Sequence, residues 1–264
     1  MLNLLFLVLS AIFTLVLYLA VPQISLWLIL PLLVASYVGV VFLFFVFLFV
    51  SSLFLPKKKP VTKPNPFCVF MIRVTMAWIM QIFRIKVKLT GAELLPNEPC
   101  ILVSNHRSDF DPMAVLAVLK GRKLAYISKD ANFKIPIVGN FIHHAGFLAI
   151  DRGNGMRALR TLKQAADMVN NNGIDIGIYP EGTRSKNGEL LRFRPGAFIL
   201  SKRANAPIVV MTTKGTENIT KNAFFRKTIV ELSILGVISV EKQAELESDA
   251  LSALVRGMIE EGLK

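Results

Sequence analysis

The first 55 residues contain no lysine, arginine, aspartate, glutamate or histidine. Such a stretch is no part of a water-soluble surface, which needs charge to stay dispersed. Acidic residues are absent for longer still, the first being Glu93. Cysteine is scarce: Cys68 and Cys100 stand alone without metal-site spacing. That argues against a zinc module or a disulfide framework and leaves two free thiols, so no metal is called for. The chain has no G-x-S-x-G, so a serine nucleophile on a strand-to-helix elbow is excluded. No internal repeat is visible.

What is present begins with two long apolar runs, 2–20 and 24–55, with Pro22 and Gln23 marking a turn between them. About 20 apolar residues cross the roughly 30 Å of bilayer hydrocarbon. Residues 1–55 therefore read as a membrane anchor, a transmembrane helical hairpin, with a half-inserted first segment as the alternative. A cleaved signal peptide is the competing account, but Met1-Leu2-Asn3 lacks its basic start and the hydrophobicity resumes after Pro22.

Charge follows abruptly. Lys57, Lys58, Lys59 and Lys63 open a segment that holds eight basic residues by Lys88. The formal net charge is +13 from 31 basic and 18 acidic residues, so the remainder, 23 against 18, carries only +5. Basic residues beside a span favour the cytoplasmic side and anionic lipid, so a membrane localisation with the following domain in the cytoplasm is expected. No nucleic-acid-binding pattern accompanies the charge, and no nucleic-acid partner is expected. Residues 56–85 read as a basic connector and a helix lying in the interface, because Arg73 and Arg84 would be costly at mid-bilayer. A helix packed on the soluble domain is the alternative.

From residue 86 onward the pattern is α/β. Strand-like runs at 86–90, 100–104, 123–128, 146–150, 174–179, 207–212 and 228–232 alternate with helical patterns at 112–119, 155–170 and 196–203. Alternation of this kind predicts a mostly parallel sheet flanked by helices. Residues 241–264 read as one charged amphipathic helix with a structural role.

Three of these strands end in residues suited to chemistry. Residues 105–111 (NHRSDFD) place His106 five positions before Asp111, which Pro112 follows. A catalytic imidazole needs a carboxylate to hold its tautomer and stabilise its charged form. Asp111 at N-cap and Pro112 at N1 of a helix would build the corner that joins them. The plain alternative is a capping aspartate and a loop histidine. Residues 174–179 run into Pro180-Glu181-Gly182-Thr183-Arg184-Ser185, where glycine permits close backbone approach and arginine offers a fork for phosphate oxygens. Residues 146–152 (GFLAIDR) deliver Arg152 in the same way. Ligands of parallel α/β sheets collect at the carboxyl ends of the strands, so one shared site is expected.

Two phosphate-loop spellings compete. Gly177 and Gly182 have P-loop spacing, but Thr183-Arg184 stands where Lys-Ser/Thr is required. Residues 153–158 (GNGMRA) spell a dinucleotide fingerprint, with Asp175 placed for a ribose; a glycine turn opening a helix is the simpler account.

NHRSDFD, GFLAIDR and YPEGTRS, in this order and with these gaps, resemble the motifs of the glycerophospholipid acyltransferase family. The nearest members are its 1-acylglycerol-3-phosphate (lysophosphatidate) acyltransferases. Residues 206–210 match a fourth motif, and the likeness covers roughly residues 85–215. It implies that 86–264 is an acyltransferase domain, with His106 as general base and Asp111 as its partner. It further implies a substrate-binding set of Arg152, Glu181, Gly182, Thr183, Arg184 and Lys129, with Glu181 organising its loop more than meeting substrate. Asp109 falls at the wrong spacing and is expected on a loop surface. Tyr179 replaces a commoner phenylalanine, with no chemical consequence expected. The implied substrates are lysophosphatidate and an acyl thioester, either acyl-CoA or acyl-acyl carrier protein, with no cofactor and the bilayer as partner. Other acceptors, glycerol-3-phosphate or another lysophospholipid, share these motifs. A non-catalytic lipid-binding protein is the reading from outside the enzymes, and the His106/Asp111 pair argues against it.

Overall fold

The computed structural model describes residues 2–21, 23–56, 61, 63–185 and 188–264. The turn residue Pro22 and the lysines Lys57, Lys58 and Lys59 lie outside the described residues.

Two apolar helices lead the chain, α1 (Leu2–Ala20) and α2 (Ile29–Leu53). With 19 and 25 residues they reach about 28 and 37 Å at 1.5 Å per residue. Both are long and apolar enough to cross a membrane. Their few polar groups face inward: Thr14 donates to Ser36 at 3.0 Å, and the Tyr37 hydroxyl donates to Asn3 at 2.7 Å. Phe6 joins this pair to the next helix by its edge contact with Trp78.

That helix, α3 (Pro66–Ile82), starts where Asn65 accepts from the Phe67 and Cys68 N–H groups and Pro66 fills a first-turn position. The body after it is a seven-stranded sheet in the order β1-β7-β6-β2-β5-β3-β4. Its strands are β1 (Ile85–Thr90), β2 (Ile101–Ser104), β3 (Leu124–Lys129), β4 (Leu148–Ile150), β5 (Asp175–Ile178), β6 (Ile208–Lys214) and β7 (Thr228–Ile238). Strands β6, β2, β5, β3 and β4 run parallel; β7 is antiparallel to β6, and β1 is parallel to β7. The central strands β2 and β5 are buried along their whole length, as a sheet covered on both faces requires. On one face α3 packs with α4 (Asp111–Val118) and α5 (Val138–His144). On the other α6 (Gly155–Asn172) packs with α7 (Gly196–Ala204), which α9 (Val240–Ala244) and α10 (Ser248–Leu263) join. A four-residue helix, α8 (Ile219–Asn222), precedes β7.

The seven strands and three internal helices fall where the sequence places them. The differences are instructive. Asp111 is not the cap of α4 but its first residue, with Phe110 in the cap position. Its carboxylate turns back to the preceding loop, where it accepts the Arg107 and Ser108 N–H groups. The tail is two helices rather than one, because the chain is extended at Glu247 between α9 and α10. Helix α5 has no counterpart in the sequence reading; seven residues are too few for a periodic signal. Asp175, the residue placed for a ribose, sits at the amino end of its strand, away from the carboxyl ends where His106 and Glu181 lie. It is buried and held by Arg122 through two contacts of 2.6 Å, and it accepts from the Cys100 N–H at 3.1 Å. Gly177 likewise serves packing: a side chain there would enter the Tyr126 ring.

Candidate active site

The site forms at the carboxyl ends of β2, β4, β5 and β6. Strand β2 ends in Asn105, whose side chain continues the sheet: it donates to the Thr213 carbonyl at 2.9 Å and accepts from the Thr213 N–H at 2.8 Å. The next residue, His106, is thereby delivered at a fixed point beyond the sheet edge. Its backbone is tied on both sides by the loop after β5. Glu181 accepts the His106 N–H at 2.6 Å, and the Ser185 N–H donates to the His106 carbonyl at 2.9 Å.

The His106 side chain is oriented by two contacts. Its Nδ1 lies 2.7 Å from Asp111 Oδ2, and its ring stacks on Tyr179 with centroids 4.1 Å apart and planes 12° from parallel. Asp111 is fully buried. The same Oδ2 accepts the N–H groups of Arg107 at 2.7 Å and Ser108 at 2.9 Å, while Oδ1 accepts the Thr216 hydroxyl. With every other neighbour donating, the carboxylate is an acceptor, so His106 Nδ1 carries the proton and Nε2 is left with a free lone pair. Below Tyr179 lies Tyr126, near-parallel at 5.6 Å. Burial pushes both phenols well above their ordinary pKa, so the column under the imidazole stays uncharged.

Glu181 does not face outward. It is buried, and its second oxygen accepts the Leu191 N–H at 2.9 Å. Burial raises its pKa, against the pull of the two N–H groups. It bridges the His106 loop to the segment before α7.

Beside this column is a cavity of about 310 Å³, walled by Tyr179, Gly182, Ile150, Leu159, Arg152 and Arg194. Desolvation and the neighbouring Arg194 both lower the pKa of Arg152. Two guanidinium groups held this close attract an anion. Gly182 makes the approach possible: it has φ +69°, and a Cβ there would come within 2.9 Å of Arg194 Nε. Arg194 was not among the residues singled out from the sequence. Its only signal was Arg-Pro-Gly opening a helix, which reads equally well as punctuation.

The other expected residues are spread wider. Arg184 and Thr183 are exposed, and Arg184 pairs with the exposed Asp109, so the two loops also meet above the site. Lys129 is exposed at the end of β3 and is not part of the cavity wall. Among the described residues there is no cluster of histidine, cysteine, aspartate and glutamate of the kind that holds a metal.

A histidine paired to a buried aspartate thus stands at the strand ends of a mostly parallel sheet, beside a cationic cavity, an arrangement suited to general-base chemistry on a bound anion. Residues 86–214 match the model of the acyltransferase family. It is 33% identical over 142 residues to the human 1-acyl-sn-glycerol-3-phosphate acyltransferase beta, covering 53% of this chain and 51% of that one. A chloroplastic 1-acyl-sn-glycerol-3-phosphate acyltransferase of Brassica napus is 35% identical, over 51% of this chain and 39% of its own length. The chain thus spans about half the length of the curated relatives it matches. The crystal structure of the 1-acyl-sn-glycerophosphate acyltransferase PlsC from Thermotoga maritima has the same fold. It superposes with a TM-score of 0.62 at 22% identity, over 84% of this chain and 87% of that one.

Proposed function

We propose that the chain is a membrane-bound O-acyltransferase. It moves a fatty acyl group from acyl-CoA or acyl-acyl carrier protein to the sn-2 hydroxyl of 1-acylglycerol-3-phosphate, giving phosphatidic acid. The observation that carries the reading is His106 Nδ1 at 2.7 Å from a buried aspartate, next to a cavity holding two arginines. The names of the relatives supply the acceptor.

In this reading the substrate hydroxyl stands where a hydrolase has its serine. His106 Nε2 takes the hydroxyl proton as the oxygen attacks the thioester carbonyl, and Asp111 stabilises the imidazolium through Nδ1–H. The tetrahedral intermediate collapses by breaking the carbon–sulfur bond, and the leaving thiolate takes the proton back from Nε2. Acid and base balance within one turnover, and no acyl-enzyme forms. Arg152 and Arg194 hold the acceptor phosphate, which converts loose encounter into a fixed approach.

The apolar helices suit such a substrate. Along α1 and α2 large side chains such as Leu4, Ile12, Val34 and Phe42 are more than half exposed, a surface that hydrocarbon satisfies and water does not. A site kept at a bilayer takes a lysolipid without wetting its chain, at about 0.8 kcal/mol for each methylene. The basic connector supports a catalytic domain on the cytoplasmic side.

The test is a purified-membrane assay offering labelled lysophosphatidate, glycerol-3-phosphate and lysophosphatidylcholine with both donor types. Lysophosphatidate is expected to be acylated fastest. His106→Ala should lower kcat about 100- to 10,000-fold, the range general-base catalysis contributes, while the protein remains folded in the membrane. Wild-type turnover by that variant would refute the mechanism. Absence of acylation on every acceptor would favour a lipid-binding protein.

A further inference from the structure

The turn between α8 and β7 carries two adjacent phenylalanines in the open. Phe224 is 62% exposed and Phe225 86%. This is an ordered turn. The Phe225 and Arg226 N–H groups both donate to the Asn222 carbonyl, at 3.2 and 2.9 Å, and Asn222 Nδ2 donates to Thr228 Oγ1 at 3.1 Å. Arg84 donates to the Phe225 carbonyl at 3.3 Å. Phe224 has φ +67°, the left-handed region that strains any residue with a side chain. The turn is thus ordered and locally strained while leaving two apolar rings largely open, a surface that water does not satisfy. Lys221, Arg226 and Lys227 are all exposed beside the rings, and residues 221–227 include no acid. Aromatic tips backed by cations are suited to the interface of an anionic bilayer.

Position supports the same partner. The turn follows β6 at the active-site end of the sheet, a few residues after Thr216, which bonds Asp111. The Phe224 ring lies 5.2 Å from that of Phe83, just past the end of α3, and Phe83 lies 6.0 Å from Phe110 of the His106 loop. Helix α2 crosses α3 rather than running beside it: Phe47 meets Phe67 while Phe45 meets Trp78. Those partners are about 3 Å apart along α2 and about 16 Å apart along α3. If α2 stands across the bilayer, α3 lies along its surface, and the turn at the end of α3 arrives at that surface too.

We infer that Phe224 and Phe225 insert into the acyl-chain region of an anionic bilayer, with Lys221, Arg226 and Lys227 on the headgroups. This makes the rim of the site a second point of membrane contact, separate from the apolar helices. The inference rests on the reading of α1 and α2 as spans.

The experiment uses the full chain, one copy per lipid nanodisc, with about half the lipid phosphatidylglycerol. An environment-sensitive fluorophore is attached through Phe225→Cys, through Phe42→Cys in the middle of α2, or through Glu245→Cys on the far layer of the domain. Cys68 and Cys100 are buried and do not compete. Brominated acyl chains should quench the label at 225 severalfold more than at 245, and Lys221→Glu with Lys227→Glu should reduce that quenching. A label at 225 no more quenched than at 245, with 42 quenched, overturns this inference alone. Failure at 42 as well refutes the membrane reading beneath it. Shielding at 225 from a water-soluble quencher without quenching by brominated lipid means a protein covers the turn, which also overturns it. None of these readouts needs acyl transfer, so inactivity would count against the proposed reaction only.

Discussion

His106 takes its orientation from one near residue, Asp111 at its Nδ1, and from one distant segment, with Glu181 and Ser185 on its backbone and Tyr179 under its ring. The tyrosine is the least expected of these. A flat uncharged ring stacked on an imidazole limits its rotation and holds its plane. Tyr179→Leu should lower kcat up to about tenfold with little change in KM, from the 0.5–1.5 kcal/mol typical of such ring pairs. Tyr179→Phe should retain most of the rate. Equal losses in both variants would move the effect from the ring to the hydroxyl. Arg194 makes a different prediction. It lines the arginine cavity, so Arg194→Ala should raise KM for the phosphorylated acceptor about 10- to 100-fold, as loss of one charged hydrogen bond of about 1.5–3 kcal/mol implies. The donor KM should change little. Arg184→Ala should do less than Arg194→Ala, because Arg184 is spent on Asp109 at the surface; the reverse order, measured with both substrates varied, would put the phosphate on the outer loop.

Among the elements, the carboxyl-terminal helix holds more of the site than its place in the chain suggests. Arg256 on α10 donates to the carbonyls of Leu191 at 2.6 Å and Leu190 at 3.1 Å, and lies over the Phe193 ring at 5.7 Å. That segment leads into Arg194. Arg256→Ala should leave the fold intact, since the buried face of α10 is Leu251, Val255 and Ile259, yet loosen the segment. Faster amide exchange at 190–194 and a higher acceptor KM are expected, without loss of the His106–Asp111 function. Unchanged exchange there would assign α10 to packing alone. Helix α4 shows the complementary case: its first residue serves the loop in front of it, so the sequence signal for a cap marked the right residue for a different bond.

At the scale of the whole molecule, burial governs the two thiols. Cys68 is pushed up to about 11 from 9.0 by burial, and Cys100 is raised further by burial and then by Asp175. Native protein should therefore resist alkylation at pH 8, and denatured protein should lose both thiols quickly. The sign for stability follows. The folded state keeps these protons where the unfolded chain gives them up, so stability falls as pH rises from about 9 through 11. A denaturation midpoint that held constant across this window would show that the thiols are not shielded.

Much of this organisation was legible along the chain. The charge-free start, the basic segment behind it and the alternation of apolar strands with amphipathic helices follow from composition and period, which are local properties. His106 and Asp111 were legible because five residues and a proline constrain them to one corner. Residues that meet only when the sheet closes were not. Arg194 joins Arg152 across two loops, Tyr179 slides beneath an imidazole 73 positions earlier, and Arg256 reaches a segment 65 residues away. Such pairs leave no periodic trace, since the contact is set by strand order and by which side of a glycine is open. The sequence by itself determined which residues bear charge, hydroxyl or ring and which segments must leave water. Only the tertiary structure decided which of them share a cavity, because that depends on a parallel sheet bringing the ends of four distant strands to one edge.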